Sequence, residues 1–163
     1  MFKIHPLEFF RSTMTESTLT ENAAFDFPWS EEPTDSTFSN VVERIITPNA
    51  PFSIKNTDGD WQEFFGLVDS GAVITMLNAS DCEVLGLELT AGEPARLMSA
   101  SRTPIPVYIH EVELKIGNDI ITAKVAFAIL DLGRRYLGRI DLFDAFEITF
   151  QARTKNTKFV RET

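Results

Sequence analysis

The chain has few cysteines, few histidines, few basic residues and no long apolar stretch, and each scarcity narrows what it can be. Its 163 residues include one cysteine, Cys82. No intramolecular disulfide can form, so a reducing compartment is the simpler setting. No histidine is placed to support Cys82 as a nucleophile, and it is read as a packed, unreactive thiol. His5 and His110 make no metal set with Cys82, so no metal or other cofactor is expected. The longest clean apolar run, residues 125–130, is far short of a membrane span. The first ten residues lack the long apolar core of a signal peptide. These absences point to a soluble, cytoplasmic protein with no membrane partner. Lys and Arg total 15 against 24 Asp and Glu, for a net charge of -9. A nucleic-acid binder would carry a basic face, so no nucleic acid is expected as partner.

What is present suits one globular domain and a tail. Hydrophobic residues make up 44% of the chain and fourteen residues are Phe. A modest number of side chains can therefore still fill a core. Residues 1–38 differ in texture, with ten Ser or Thr, seven acidic residues and two basic ones. They are read as a flexible, acidic N-terminal extension preceding a domain at 39–163. Phe9-Phe10 and Phe25-Asp26-Phe27-Pro28-Trp29 are apolar spots that could dock on that domain. A regulatory pro-segment is the other reading of the same stretch.

From residue 39 the pattern is β-like. Strands are expected over residues 41–47, 61–68, 74–77, 96–98, 105–116 and 120–130. Pro48 to Pro51 reads as a break, and Leu87 to Thr90 as a short extended piece. Asp58-Gly59 and Gly117-Asn118 are hairpin signals, because each supplies the positive φ that tight turns need. Asn78 caps an expected short helix that ends at Gly86. Residues 142–146 read as a second short helix or turn, and 147–150 with 158–161 as a final hairpin. Short strands at close spacing with little helix predict an all-β barrel or sandwich.

One segment carries chemistry. In Leu67-Val68-Asp69-Ser70-Gly71-Ala72-Val73-Ile74, an apolar strand delivers an aspartate into a turn walled by apolar residues on both sides. An ionised carboxylate in such company is expensive unless it is hydrogen-bonded. Gly71 permits a tight turn that aims backbone N–H groups at Asp69, and Ser70 offers a short hydroxyl. Asp-Ser-Gly alone is common in surface turns; the flanking apolar residues set this copy apart.

This loop resembles the Asp-Thr/Ser-Gly-Ala loop of the retropepsin-like (retroviral-type) aspartic proteases, in particular the soluble bacterial and archaeal members. Tyr136-Leu137-Gly138-Arg139 resembles the later apolar-apolar-Gly-Arg element of that family, followed by a short helix and a strand. The resemblance spans residues 41–161. It implies a small closed β-barrel or sandwich with one or two short helices, assembled as a symmetric homodimer. It implies an aspartic endopeptidase acting on peptide or protein substrates. Two aspartates activate one water; one is ionised, the other protonated, and no cofactor takes part.

The chain contains one such motif. Asp131-Leu132-Gly133 lacks a hydroxyl residue and is read as a loop, so a second Asp69 must come from a second subunit. By resemblance Asp69 is the catalytic residue. Ser70, Gly71 and Ala72 support the loop, and Leu137, Gly138 and Arg139 form the second motif. Residues 41–47, 147–150 and 158–161 are candidate interface strands. The flap that covers substrate would have its tip at Ser99-Ala100-Ser101-Arg102-Thr103, without the glycine usual in relatives. Val73 stands where many relatives carry an aspartate that pairs with the arginine of the second motif, which leaves Arg139 in need of another partner. The alternative to an enzyme is a non-catalytic module of the same fold, kept for dimerisation or peptide binding.

Overall fold

The computed structural model describes residues 24–33 and 44–162. Twelve strands and two short helices are found among them. The strands are β1 (Ala24–Pro28), β2 (Ser30–Pro33), β3 (Arg44–Thr47), β4 (Asn49–Lys55), β5 (Trp61–Val68), β6 (Thr75–Asn78), β7 (Glu93–Met98), β8 (Pro104–Ile116), β9 (Asp119–Ala128), β10 (Tyr136–Leu137), β11 (Phe146–Gln151) and β12 (Asn156–Arg161). The helices are α1 (Ala79–Val84) and α2 (Leu142–Ala145). The expected all-β architecture with short helices is the one observed.

The main sheet runs β4-β5-β10-β6-β9-β8-β7, and β4 also pairs with β8. That second pairing closes six strands into a barrel. It is possible because β8 is 13 residues long. One edge of β8 takes β7 along Pro104–Ile109 and β4 at Leu114–Lys115. The other edge pairs with β9 through the two-residue turn Gly117-Asn118. The barrel interior holds Phe52, Phe64, Leu77, Leu114, Phe127, Leu137 and Phe146. A smaller cluster of Ile74, Val107, Ala126 and Ala128 lies at one end, packed by Met76, Leu97, Ile105 and Leu132.

Three expectations change. Pro48 alone interrupts the chain: Asn49–Lys55 is a strand, because it pairs with all of Trp61–Leu67. Leu89–Ala91 is a single 3-10 turn rather than an extended piece. Strand structure also begins well before residue 39. β1 pairs with β12, and β2 pairs with β3. Phe25 and Phe27 pack on the barrel core, and Gly117 leaves room for the Phe25 ring. The Ser, Thr and acidic residues around these short strands mask their alternation in the sequence. Phe9-Phe10, and residues 41–43 of the expected first strand, lie outside the described residues.

β12 is flanked by β1 on one side and β11 on the other. Its edges are therefore filled within the subunit, which removes Lys158–Arg161 from the candidate interface strands.

Candidate active site

Asp69 follows directly on β5. Its strand is pinned on both sides: Val68 N–H donates to the Pro48 carbonyl at 2.9 Å and Asp69 N–H to the Leu137 carbonyl at 3.0 Å. The chain then turns sharply. Gly71 N–H donates to Asp69 Oδ1 at 2.8 Å, and Ala72 N–H to the Asp69 carbonyl at 3.1 Å. Asp69 is half-buried, whereas Ser70 and Gly71 are exposed. One carboxylate oxygen is thus oriented by its own loop.

The second motif threads through this turn. β10 runs parallel to the end of β5, with Tyr136 beside Leu67 and Leu137 beside Val68, and antiparallel to β6 at Met76. Beyond it, Arg139 N–H donates to the Ala72 carbonyl at 3.0 Å and Ile140 N–H to the Val73 carbonyl at 2.9 Å. Just before them, Gly138 N–H donates to the buried Thr75 hydroxyl at 3.1 Å. A Cβ at Gly138 would run into the Ile74 carbonyl, so only glycine admits this approach. Leu137 is fully buried beneath the loop. Two motifs 69 and 138 residues along the chain thus share one hydrogen-bonded unit.

Arg139 is exposed, which is how it tolerates the valine at position 73. The bidentate arginine of this region is Arg135. Its Nη2 lies 2.6 Å from Asp81 Oδ1 and its Nε 3.0 Å from Asp81 Oδ2. Asp81 is buried at the start of α1, where Oδ2 also accepts from Asn78 N–H at 3.0 Å.

Asp69 opens into a cleft of about 530 Å³. Gly71, Ala72 and Met76 line it beside Asp69; Leu97, Met98, Ser99, Ala100 and Ile105 come from the β7–β8 hairpin; Leu132 and Tyr136 complete the lining. Ser99 and Ala100 of the expected flap therefore line the cleft. Ser70, Ser101 and Arg102 are exposed beside it and do not line it. A second hollow of about 470 Å³ near α2, lined by Asp141, Asp144, Arg161 and others, contains none of the expected site residues.

The tip of the β7–β8 hairpin closes without glycine. Arg102 N–H donates to the Ser99 carbonyl at 2.9 Å and Ser99 N–H to the Thr103 carbonyl at 3.0 Å. Ser99 Oγ accepts from Thr103 N–H at 3.0 Å, and the Ser101 hydroxyl bridges Ser99 and Thr103 at 2.9 and 3.2 Å. This is a three-residue hairpin loop, which needs a left-handed residue at its end. Arg102 takes that place, at φ 62°.

Several residues of the site were not legible in the sequence. Met76, Leu97 and Ile105 looked like ordinary strand residues, Leu132 like part of a plain loop, and Tyr136 was noted only as the start of the second motif; the curvature of the barrel brings them together. The adjacent Arg134-Arg135 just ahead of the second motif was the one available signal for the Asp81 pair. Cys82 is fully buried, with Sγ 3.6 Å from the Leu87 carbonyl. Burial, and then the Glu83 charge, push its thiol up, as suits an unreactive packing group.

Among known proteins, a retropepsin-like aspartic protease from Rickettsia conorii is similar at 19% identity. It covers 82% of this chain and 95% of its own, with a TM-score of 0.49. EIAV protease, solved with an inhibitor, is similar at 19% identity, covering 60% of this chain and 86% of its own, with a TM-score of 0.47. No curated protein sequence matches the chain. The family model for aspartyl proteases matches residues 51–141, a span that holds the Asp69 loop, the β7–β8 hairpin and the Gly138 element. Over more than half its length the sequence fits that model, and the chain belongs to the aspartyl protease family.

Proposed function

We propose that the chain is an aspartic endopeptidase that works as a homodimer, with one Asp69 from each subunit. The observation that carries this reading is the setting of Asp69: one oxygen held by Gly71 N–H at 2.8 Å, with the residue lining a largely apolar cleft. A second copy related by a two-fold axis would bring another Asp69 opposite the first. Two facing carboxylates share a proton, because two like charges in contact cannot both ionise cheaply. The ionised member takes a proton from water as it attacks the scissile carbonyl. The protonated member donates to the carbonyl oxygen, and no covalent intermediate forms.

The surface around the loop supports this assembly. Ser70 and Gly71 are exposed, and Val73 and Ile140 leave apolar side chains in solvent beside them. A docked second copy would cover these groups. Val73 then acts as an apolar contact where relatives place a charge. Ser70 would bond across the axis. Apolar side chains in the cleft favour peptides with large hydrophobic residues flanking the cut bond. The expected flap has no glycine, yet its tip forms a complete turn around Arg102, which supports the catalytic reading over a non-catalytic module.

The test is a peptide library offered to the wild type and to Asp69→Asn, with sedimentation of both. Cleavage should fall by at least about a thousandfold in the variant while the dimer persists. Equal cleavage by both proteins, or a wild type that is monomeric while active, would refute the reading.

A further inference from the structure

Residues 24–33 lie outside the span that matches the family, yet they are fastened firmly. β1 adds to β12, Phe25 and Phe27 pack on the core, and Trp29 Nε1 donates to Thr157 Oγ1 at 2.8 Å. The Lys155 ammonium sits 5.3 Å over the Trp29 ring. The second half of this arm, β2, pairs with β3, and one side chain of β2 reaches further. Glu32 Oε2 accepts from Arg134 Nη2 at 2.7 Å, across 102 residues of chain. Arg134 belongs to the segment between β9 and β10, which carries Leu132 and leads directly into Tyr136 at the start of β10; both residues line the cleft.

An ion pair between two mobile surface side chains contributes little, because both must be ordered to form it. Glu32 is ordered already. Its Oε1 accepts from Thr47 Oγ1 at 2.9 Å and from Asn49 Nδ2 at 2.8 Å. Asn49 is itself held by Ser30 Oγ at 2.7 Å. Only Arg134 has to be immobilised. The same segment is tied on its other side, where Leu132 N–H donates to Asn78 Oδ1 at 2.9 Å and Arg135 grips Asp81. Asn78 and Asp81 lie within the span common to the family; Glu32 does not.

We propose that Glu32 and Arg134 are a positioning pair for the cleft, through which the N-terminal arm holds Leu132 and Tyr136 in the substrate-facing wall. The arm is then a working part of this protease and not an appendage. That the wall faces substrate, and that the arm serves cleavage, rests on the function proposed above. The pair touches no reacting atom, so its loss alters substrate capture and leaves the chemical step alone.

The test uses the full chain with Glu32→Gln, Arg134→Gln, the double variant and Arg134→Lys. Amide hydrogen exchange over residues 131–136 should rise about threefold to fivefold in each single variant, and KM should rise by a similar factor with kcat unchanged. The double variant should be no worse than either single one, and Arg134→Lys should recover most of the effect. Exchange that stays at the wild-type level in both single variants overturns the pair, as do effects that simply add. Exchange decides this even in a chain that cleaves nothing, in which case the proposed function fails and the pair stands. Normal cleavage with unmoved exchange and KM removes the pair and leaves the function intact.

Discussion

Arg135 grips Asp81 with two hydrogen bonds, Nη2 to Oδ1 at 2.6 Å and Nε to Oδ2 at 3.0 Å, and so joins the start of α1 to the strand that threads the Asp69 loop. The Asp81 side chain is 4% exposed and that of Arg135 is 35% exposed. The guanidinium also lies 5.1 Å from the centre of the Phe64 ring. Removing one partner leaves the other charge without its counter-ion. Asp81→Asn should therefore destabilise the fold by about 2 kcal/mol, less than a fully buried pair because water reaches Arg135. Thermal unfolding measures this. Combining Arg135→Met with Asp81→Asn should recover part of the loss, since the stranded charge is gone. A double variant worse than the sum of the two would contradict the pairing.

Arg102 holds the left-handed position at the tip of the β7–β8 hairpin, at φ 62°. A side chain there costs roughly 1 kcal/mol relative to glycine, and a β-branched one more. The tip should therefore be most tightly closed in Arg102→Gly, less so in Arg102→Ala and least in Arg102→Val. Because a hairpin tip opens without global unfolding, exchange of the Ser99 and Arg102 amides is the better measure than melting temperature. Equal protection in the glycine and valine variants would show that the turn does not demand this conformation.

Glu32 gives the fold a defined response to acid. Burial pushes its carboxyl up, but hydrogen bonds from Asn49 and Thr47 and the Arg134 charge outweigh that and hold it below the usual value. Arg134 is the charged group facing it, and Asn49 and Thr47 are neutral. A carboxylate with a lowered folded-state pKa stabilises the fold above its unfolded pKa, and the contribution is lost as pH falls through the folded one. The melting temperature of wild type should exceed that of Glu32→Gln at neutral pH. The gap should close below about pH 4.3, the ordinary glutamate range. A gap that is constant from pH 7 to pH 3 would rule out the ionised state as its source.

Much of this molecule is written locally. The alternation along Trp61–Val68, the turn at Gly117-Asn118 and the Asn78 cap each act within a few residues, so they can be read from the chain alone. The Asp69-Ser70-Gly71 turn is local as well: its key hydrogen bond spans two residues. The single copy of that motif was enough to make a second subunit the natural expectation.

Tertiary structure decided what depends on distant segments meeting. Ala24–Pro28 is a strand because β12 offers it an open edge, not because its own composition favours one. Gly138 must be glycine because the Ile74 carbonyl arrives there from elsewhere in the chain. Whether Arg139 or Arg135 would hold the bidentate pair turned on where α1 places Asp81, a separation of 54 residues. The cleft follows the same rule. Asp69 announced itself in the sequence, while the wall that faces it is assembled by barrel closure from residues that looked like ordinary strand and loop positions, because curvature is a property of the whole sheet.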